Sequence, residues 1–200
     1  MIFGIGKLVL ASHNRKKTHE LRAILQPLAI ELLNLADFAG APSPEETGST
    51  FAENAILKAR EACAFTGLAA LADDSGLVVD ALAGEPGVLS ARFAGEGAGD
   101  AANNRLLLER LRGVPAEKRT ARFVAVVAFA LPGGECRTWS GETHGRILEE
   151  ERGEGGFGYD PLFFSDDLGV GFAEAPEAEK NRISHRGRAL EAFIADLRNG

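Results

Sequence analysis

The sequence predicts an α/β fold built on a mixed β-sheet, and three observations carry that prediction. Strand-like and helix-like periods alternate through the first third of the chain. Residues 122–131 form a continuous apolar run rich in Val and Phe, the pattern of a strand buried on both faces. Pro132-Gly133-Gly134 then turns that run back as a hairpin. A hairpin inside an alternating chain demands antiparallel as well as parallel pairing.

The elements follow in order. Residues 7–12 read as a strand entering a turn at His13-Asn14. Leu21, Ile24, Leu25 and Leu28 have helical spacing, which predicts a helix over Arg15–Leu25. Gln26-Pro27 ends it, because the residue before proline is pushed out of the helical region. A short strand is expected over residues 29–33, then a loop of Gly, Pro, Ser, Glu and Thr over residues 39–49. Thr50-Phe51-Ala52-Glu53 fits a capping box. The helix it opens runs to about Phe65, with Ala55, Ile56, Ala59, Ala62 and Cys63 on one face and Gly67 as its cap.

Residues 68–72 and 77–80 read as two short strands flanking a tight acidic turn, Asp73-Asp74-Ser75-Gly76. A helix is expected over residues 100–111, and a return strand after the hairpin runs through Thr138 and Trp139 to Gly145. A glycine-rich loop over residues 149–161 precedes a strand at Leu162-Phe163-Phe164. Ser184 is expected to cap a last helix that turns Leu190, Phe193, Ile194 and Leu197 inward.

Composition narrows the function classes. Two hundred residues with 45% hydrophobic and 26% charged side chains suit one domain spanning residues 1–200. A formal net charge of -7 disfavours a nucleic acid polymer or an anionic membrane as partner, but leaves room for a local basic pocket. The start shows no signal-peptide pattern, and the longest strongly apolar run falls short of the ~20 residues a membrane span needs. Cys63 and Cys136 are far apart, in no metal-ligand spacing, and are expected reduced and buried. The expected location is the cytoplasm.

Chemistry gathers in four places. Asp73 and Asp74 are adjacent like charges that need a cation, a shared proton or a basic neighbour; a metal-binding turn and a solvated acidic turn both fit. Ser12-His13-Asn14-Arg15-Lys16-Lys17 puts hydroxyl, amide and cationic groups at a helix N-terminus, where unsatisfied N–H groups attract anions. Cations are unfavourable there unless something offsets them, and a triphosphate would. Phe157-Gly158-Tyr159-Asp160 offers aromatic faces on a glycine-freed backbone, either for a base or tucked into a core. Lys180 with His185 and Arg186 adds further donors. Glu45-Glu46 and Lys58 are not decided by pattern alone. There is no P-loop, paired zinc spacing or Gly-x-Ser-x-Gly elbow.

These segments resemble the inosine triphosphate pyrophosphatase family, which acts on non-canonical purine nucleoside triphosphates. The resemblance runs from Leu8 to the C-terminus. It is carried by Ser12-x-Asn14-x-x-Lys17, Glu46-Thr47-Gly48 with Phe51-x-Glu53-Asn54-Ala55-x-x-Lys58-Ala59, and Ala72-Asp73-Asp74-Ser75-Gly76-Leu77. Pro86-Gly87 with Ser90-Ala91-Arg92, Gly156-Phe157-Gly158-Tyr159-Asp160-Pro161, and Lys180 with Ser184-His185-Arg186 complete it.

The resemblance implies an elongated mixed sheet flanked by helices, with two lobes and a nucleotide cleft between them, and a homodimer. It implies Mg2+-dependent hydrolysis of ITP, dITP or XTP to the monophosphate and pyrophosphate. It places the metal on Glu46, Asp73 and Asp74 and Lys58 beside the α-phosphate; the water-activating base is Asp74, or base and ligand are split between Asp73 and Asp74. Ser12, His13, Asn14, Arg15, Lys16, Lys17, Ser75, Phe157, Gly158, Tyr159, Asp160, Lys180, His185 and Arg186 are the expected substrate-binding residues. Asn14 and Lys17 are expected on the β- and γ-phosphates and Phe157 stacked on the base, with Lys180, His185, Arg186 or loop amides donating to its 6-oxo group. His13 and Arg15 occupy variable slots. A pyrimidine-directed pyrophosphatase of the septum-inhibitor type, a binding module without chemistry and an aspartyl-phosphate phosphatase are the competing readings. The first would show a Ser-rich opening turn with arginines and the last an alternate-residue Asp pair, and neither is present.

Overall fold

A computed structural model describes residues 6–12, 14–28, 30–43 and 46–199, the side chains of Arg15, Pro27 and Asn199 excepted. Its strands are β1 (Lys7–Leu10), β2 (Glu31–Asn34), β3 (Ala70–Val79), β4 (Thr120–Ala130), β5 (Cys136–Ile147) and β6 (Phe163–Ser165). They form one sheet in the order β2-β1-β3-β4-β5-β6. β1 pairs parallel with β2 and β3, and β6 pairs antiparallel with β5, so the sheet is mixed as expected. The helices are α1 (Arg15–Leu25), α2 (Phe51–Thr66), α3 (Asp100–Arg110), α4 (Glu177–Ile183) and α5 (His185–Asn199).

The chain divides into two compact units. One comprises Met1–Asp74, Ala125–Gly141 and Arg186–Gly200; the other comprises Ser75–Val124 and Glu142–His185. In the first unit, strand alternation sorts side chains by size. Leu8, Leu10, Leu71, Val127 and Phe129 share one core with Leu21 and Leu25 of α1 and Leu190 and Phe193 of α5. Val9, Ala70, Ala72, Ala128 and Ala130 take the opposite face, with Ala55, Ala59, Ala62 and Cys63 of α2. Alanine meeting alanine lets α2 lie close to the sheet, so polar side chains on its flank reach the strand ends.

α2 begins with the expected capping box, Thr50 Oγ1 accepting from Glu53 N and Glu53 returning to Thr50 N, and it ends on Gly67 at φ 69°. In the second unit, Leu77, Leu107, Leu111, Phe123, Tyr159, Leu162, Phe163 and Phe172 make the core. Arg119 is buried beside it, donating to the carbonyls of Val114, Leu148 and Leu111. Cys63 and Cys136 are both free thiols, Cys63 buried as expected and Cys136 only half-buried.

Three expectations need correction. The acidic segment is no turn: β3 runs unbroken through Asp73-Asp74-Ser75-Gly76. Asp, Ser and Gly disfavour strands in isolation, but β3 as a whole lies inside the sheet, between β1 and β4. The carboxylates find cations instead of water. α4 was not anticipated; Ser184 stands where expected, immediately before α5, and also ends α4. β2 begins at Glu31, later than expected, and Ala29 lies outside the described residues. No helix among the described residues is long and apolar enough to cross a membrane.

Candidate active site

The alternation of β3 decides where the two aspartates go. Residues 69 and 71 face the α1/α5 core, and residues 70 and 72 face α2. Asp73 and Asp74 continue that alternation to opposite faces, so each meets its own cations. Asp73 Oδ2 accepts from Arg186 Nε at 3.0 Å and lies 3.4 Å from Lys17 Nζ. Arg186 is itself buried and also donates through Nη1 to Glu20 Oε2. Burial opposes the Asp73 charge, but Lys17, Arg186 and Lys58 outweigh it and hold this carboxyl well below the usual range. Burial lowers the Lys17 ammonium, with Arg186 and Lys58 adding to it against Asp73 and Asp74.

On the other face, Asp74 Oδ1 accepts from Lys58 Nζ at 2.7 Å, and Asp74 Oδ2 accepts from Asn54 Nδ2 at 3.3 Å. Asn54 and Lys58 are one helical turn apart on α2, so one helix face grips both oxygens. Lys58 Nζ also donates to Glu46 Oε1 at 3.0 Å. Burial raises the Asp74 pKa, with Glu46 adding to it, and Lys58 and Lys17 offset this only in part. Burial works against the Lys58 charge, yet Asp74, Asp73 and Glu46 together hold its pKa above the ordinary value. The adjacent carboxylates thus differ in kind: Asp73 is a fixed anion, and Asp74 is the more basic of the two.

At the opening turn, Asn14 is the N-cap of α1: its Oδ1 accepts from the backbone N–H groups of Lys16 and Lys17. Asn14 N donates to Ser12 Oγ. The first turn of α1 holds no acidic residue, so its amide end stays electropositive. Lys16 is exposed and Lys17 half-buried. His13 and the side chain of Arg15 lie outside the described residues.

The fit to a divalent cation can be read from these contacts. Glu46 and Asp74 converge on one position that already holds a cation, the Lys58 ammonium, and hard carboxylate oxygens are what Mg2+-type ions take. Asp73 faces different cations. No group of three His, Cys, Asp or Glu among the described residues is gathered for a metal. Among the described residues, Glu46 and Asp74 are therefore the two carboxylates that fit a divalent ion.

In the second unit, Asp160 Oδ2 accepts from Lys180 Nζ at 2.6 Å and from Phe157 N at 2.9 Å. Lys180 Nζ lies 5.2 Å from the Phe157 ring centroid, within cation–π range. Gly156 is required here: its φ is +75°, and a Cβ would lie 2.1 Å from Asp160 Oδ2. Phe157 keeps part of its ring open. Tyr159 does not, being buried with its hydroxyl donating to Ser90 O, so it packs into the core. Gly158 N donates to Asp100 Oδ2. His185 is buried and stacked on Phe123 at 4.8 Å. Ser75 is half-buried in β3.

Sequence reasoning gave no role to Asn54, Glu20 or Asp100. An Asn beside alanines in an amphipathic helix, and Glu20 one turn after Lys17, were the available signals.

A model of the Ham1 family matches residues 8–196. The chain is 56% identical over 190 residues to the dITP/XTP pyrophosphatase of Geobacter sulfurreducens, covering 95% of each. It is similar to the structure of a HAM1 protein from Coxiella burnetii, with a TM-score of 0.88 and 43% identity over 97% of this chain and 99% of that one. The structure of a Mycobacterium abscessus nucleoside-triphosphatase / dITP/XTP pyrophosphatase gives a TM-score of 0.77 at 46% identity, covering 94% of this chain and 98% of that one. A match over nearly the whole chain, on the residues that build both clusters, makes this chain a member of the Ham1 family.

Proposed function

We propose that this chain is a nucleoside triphosphate pyrophosphatase that hydrolyses dITP, XTP and ITP to the monophosphate and pyrophosphate. Water attacks the α-phosphorus, the bond from that phosphorus to the α–β bridging oxygen breaks, and pyrophosphate leaves. The observation that carries this reading is the strand that delivers Asp73 and Asp74 to opposite faces, Asp73 to Lys17 and Arg186 and Asp74 to Lys58 beside Glu46. The names of relatives above 50% identity support the same reaction.

In this reading Glu46 and Asp74 hold a divalent ion, with Mg2+ as the ion of choice. Bound there, it supplies positive charge against the triphosphate and acidifies water. Asp74 accepts the proton of the attacking water. Lys58 stays an ammonium and neutralises charge developing at the α-phosphate. Asn14 fixes the electropositive end of α1, and Ser12, His13, Arg15, Lys16, Lys17 and Ser75 serve the β- and γ-phosphates. Asp73 acts through Lys17 and Arg186, holding Lys17 in place, rather than as a metal ligand.

Phe157 stacks on the purine, and Lys180 donates to the 6-oxo group that hypoxanthine and xanthine share. Adenine presents a 6-amino donor there and leaves the ammonium unmatched, a mismatch that can be worth orders of magnitude. Asp160 orients Lys180 and the Phe157 amide at once. His185 serves the same side, while Arg186 is committed to Asp73 and Glu20. The family resemblance further supports a homodimer acting on the cytoplasmic nucleotide pool, which the enzyme clears of deaminated purines.

A panel of dITP, XTP, ITP, dATP, dUTP and dTTP, assayed with and without Mg2+ and with products identified, tests this. Pyrophosphate from the oxo-purines alone, dependent on Mg2+, is the expected result; equal turnover of the pyrimidines would overturn the assignment. Lys180→Ala is expected to lower the dITP-to-dATP preference by about tenfold or more, and to do so more than it slows dITP. An unchanged ratio removes Lys180 from base recognition.

A further inference from the structure

Asn54 closes a ring of contacts. Glu46 Oε1 accepts from Lys58 Nζ, and the same Nζ donates to Asp74 Oδ1. Asp74 Oδ2 accepts from Asn54 Nδ2, and Asn54 Oδ1 accepts from Gly48 N at 2.8 Å. Gly48 lies two residues after Glu46, so the backbone of residues 46–48 completes the circuit. Asn54 is buried, and its amide links this loop to Asp74 without passing through the flexible lysine stem.

The loop is fitted closely at this point. A Cβ on Gly48 would lie 2.6 Å from Asn54 Oδ1 and 2.7 Å from the Glu53 Cβ. Glu53 in turn accepts from Ser49 N at 2.7 Å, which anchors the next residue of the loop to α2. Asn is the residue type the position needs. Its carbonyl oxygen takes the Gly48 amide while its NH2 faces a carboxylate, and a carboxylate at position 54 could do only the first.

We propose that Asn54 is a positioning residue that fixes the spacing and orientation of Glu46 and Asp74, and thereby sets affinity for the divalent ion. This rests on the reading of Glu46 and Asp74 as the metal-holding pair. The geometry gives the pair a preset separation before any ion arrives, which is how a site keeps its ligands from having to be ordered on binding. Loss of Asn54 removes neither carboxylate but frees the loop that carries Glu46.

The test compares wild type, Asn54→Ala, Asn54→Asp and Gly48→Ala by calorimetric titration with Mn2+ in the absence of nucleotide, and by the Mg2+ concentration for half-maximal dITP hydrolysis. Expected is a fivefold or greater weakening of Mn2+ binding in all three variants and a matching rise in the Mg2+ requirement. The KM for dITP at saturating Mg2+ should change less than twofold. Asn54→Asp keeps the Gly48 link and the shape of the side chain, so it reports if Asn54→Ala fails to fold.

Unchanged Mn2+ affinity with only a lower melting temperature would make Asn54 structural and overturn the proposal. So would a wild type that binds no Mn2+. A wild type that binds Mn2+ but releases no pyrophosphate would instead sink the proposed reaction, leaving the role of Asn54 to be judged by calorimetry alone.

Discussion

Asp74→Asn is expected to lower dITP turnover at least ~100-fold, the lower end of the range for losing a general base, while the fold survives. The substitution keeps volume and leaves one oxygen to accept from Lys58. Its new NH2 cannot accept from Asn54, so the Asn54 amide must give up either this contact or Gly48 N. That loss is worth about 1 kcal/mol, too little to unfold the chain. Circular dichroism and a steady-state assay read the two effects separately. Activity above a tenth of wild type would show that Asp74 is not the group accepting the water proton.

The largest effect on stability is expected from Arg186→Met. Arg186 is the buried guanidinium shared by Asp73 and Glu20. Removing it leaves two buried carboxylates with Lys17 as the nearest remaining cation to Asp73, a loss of about 3–5 kcal/mol by the usual cost of breaking a buried pair. The pH dependence has a definite sign. In the wild type, the Asp73 pKa lies below its unfolded value, so its ionised form adds stability above about pH 4, lost as pH falls through the depressed value. Without Arg186, burial acts on Asp73 with less opposition, and protonation then relieves the buried charge. The stability deficit of the variant should be greatest at pH 7 and shrink toward pH 4. Urea denaturation at both pH values measures it, and a deficit independent of pH would contradict this account of the Asp73 charge.

Local signals made much of the fold legible. The capping box at Thr50-Glu53, the left-handed Gly67 and the Pro132-Gly133-Gly134 hairpin depend on a few neighbouring residues, and each formed where expected. The acidic segment misled because turn propensity is local while strand pairing is not. Nothing near Asp73 in sequence announces that Arg186 will arrive from 113 residues away. Position 74 was marked by its motif, but which face it takes follows only from the register of β3 between its neighbours. Tyr159 offered a ring that sequence could not assign, and the partner that decided it was the carbonyl of Ser90. Asn54 was the hardest to see, because an Asn in an amphipathic helix looks the same whether it faces water or closes a ring.

The central claim, attack at the α-phosphorus, is most directly tested by hydrolysing dITP in oxygen-18 water with Mg2+ and weighing both products. The account predicts one labelled oxygen in dIMP and none in the pyrophosphate. Label in the pyrophosphate, or release of inorganic phosphate with dIDP, would contradict it.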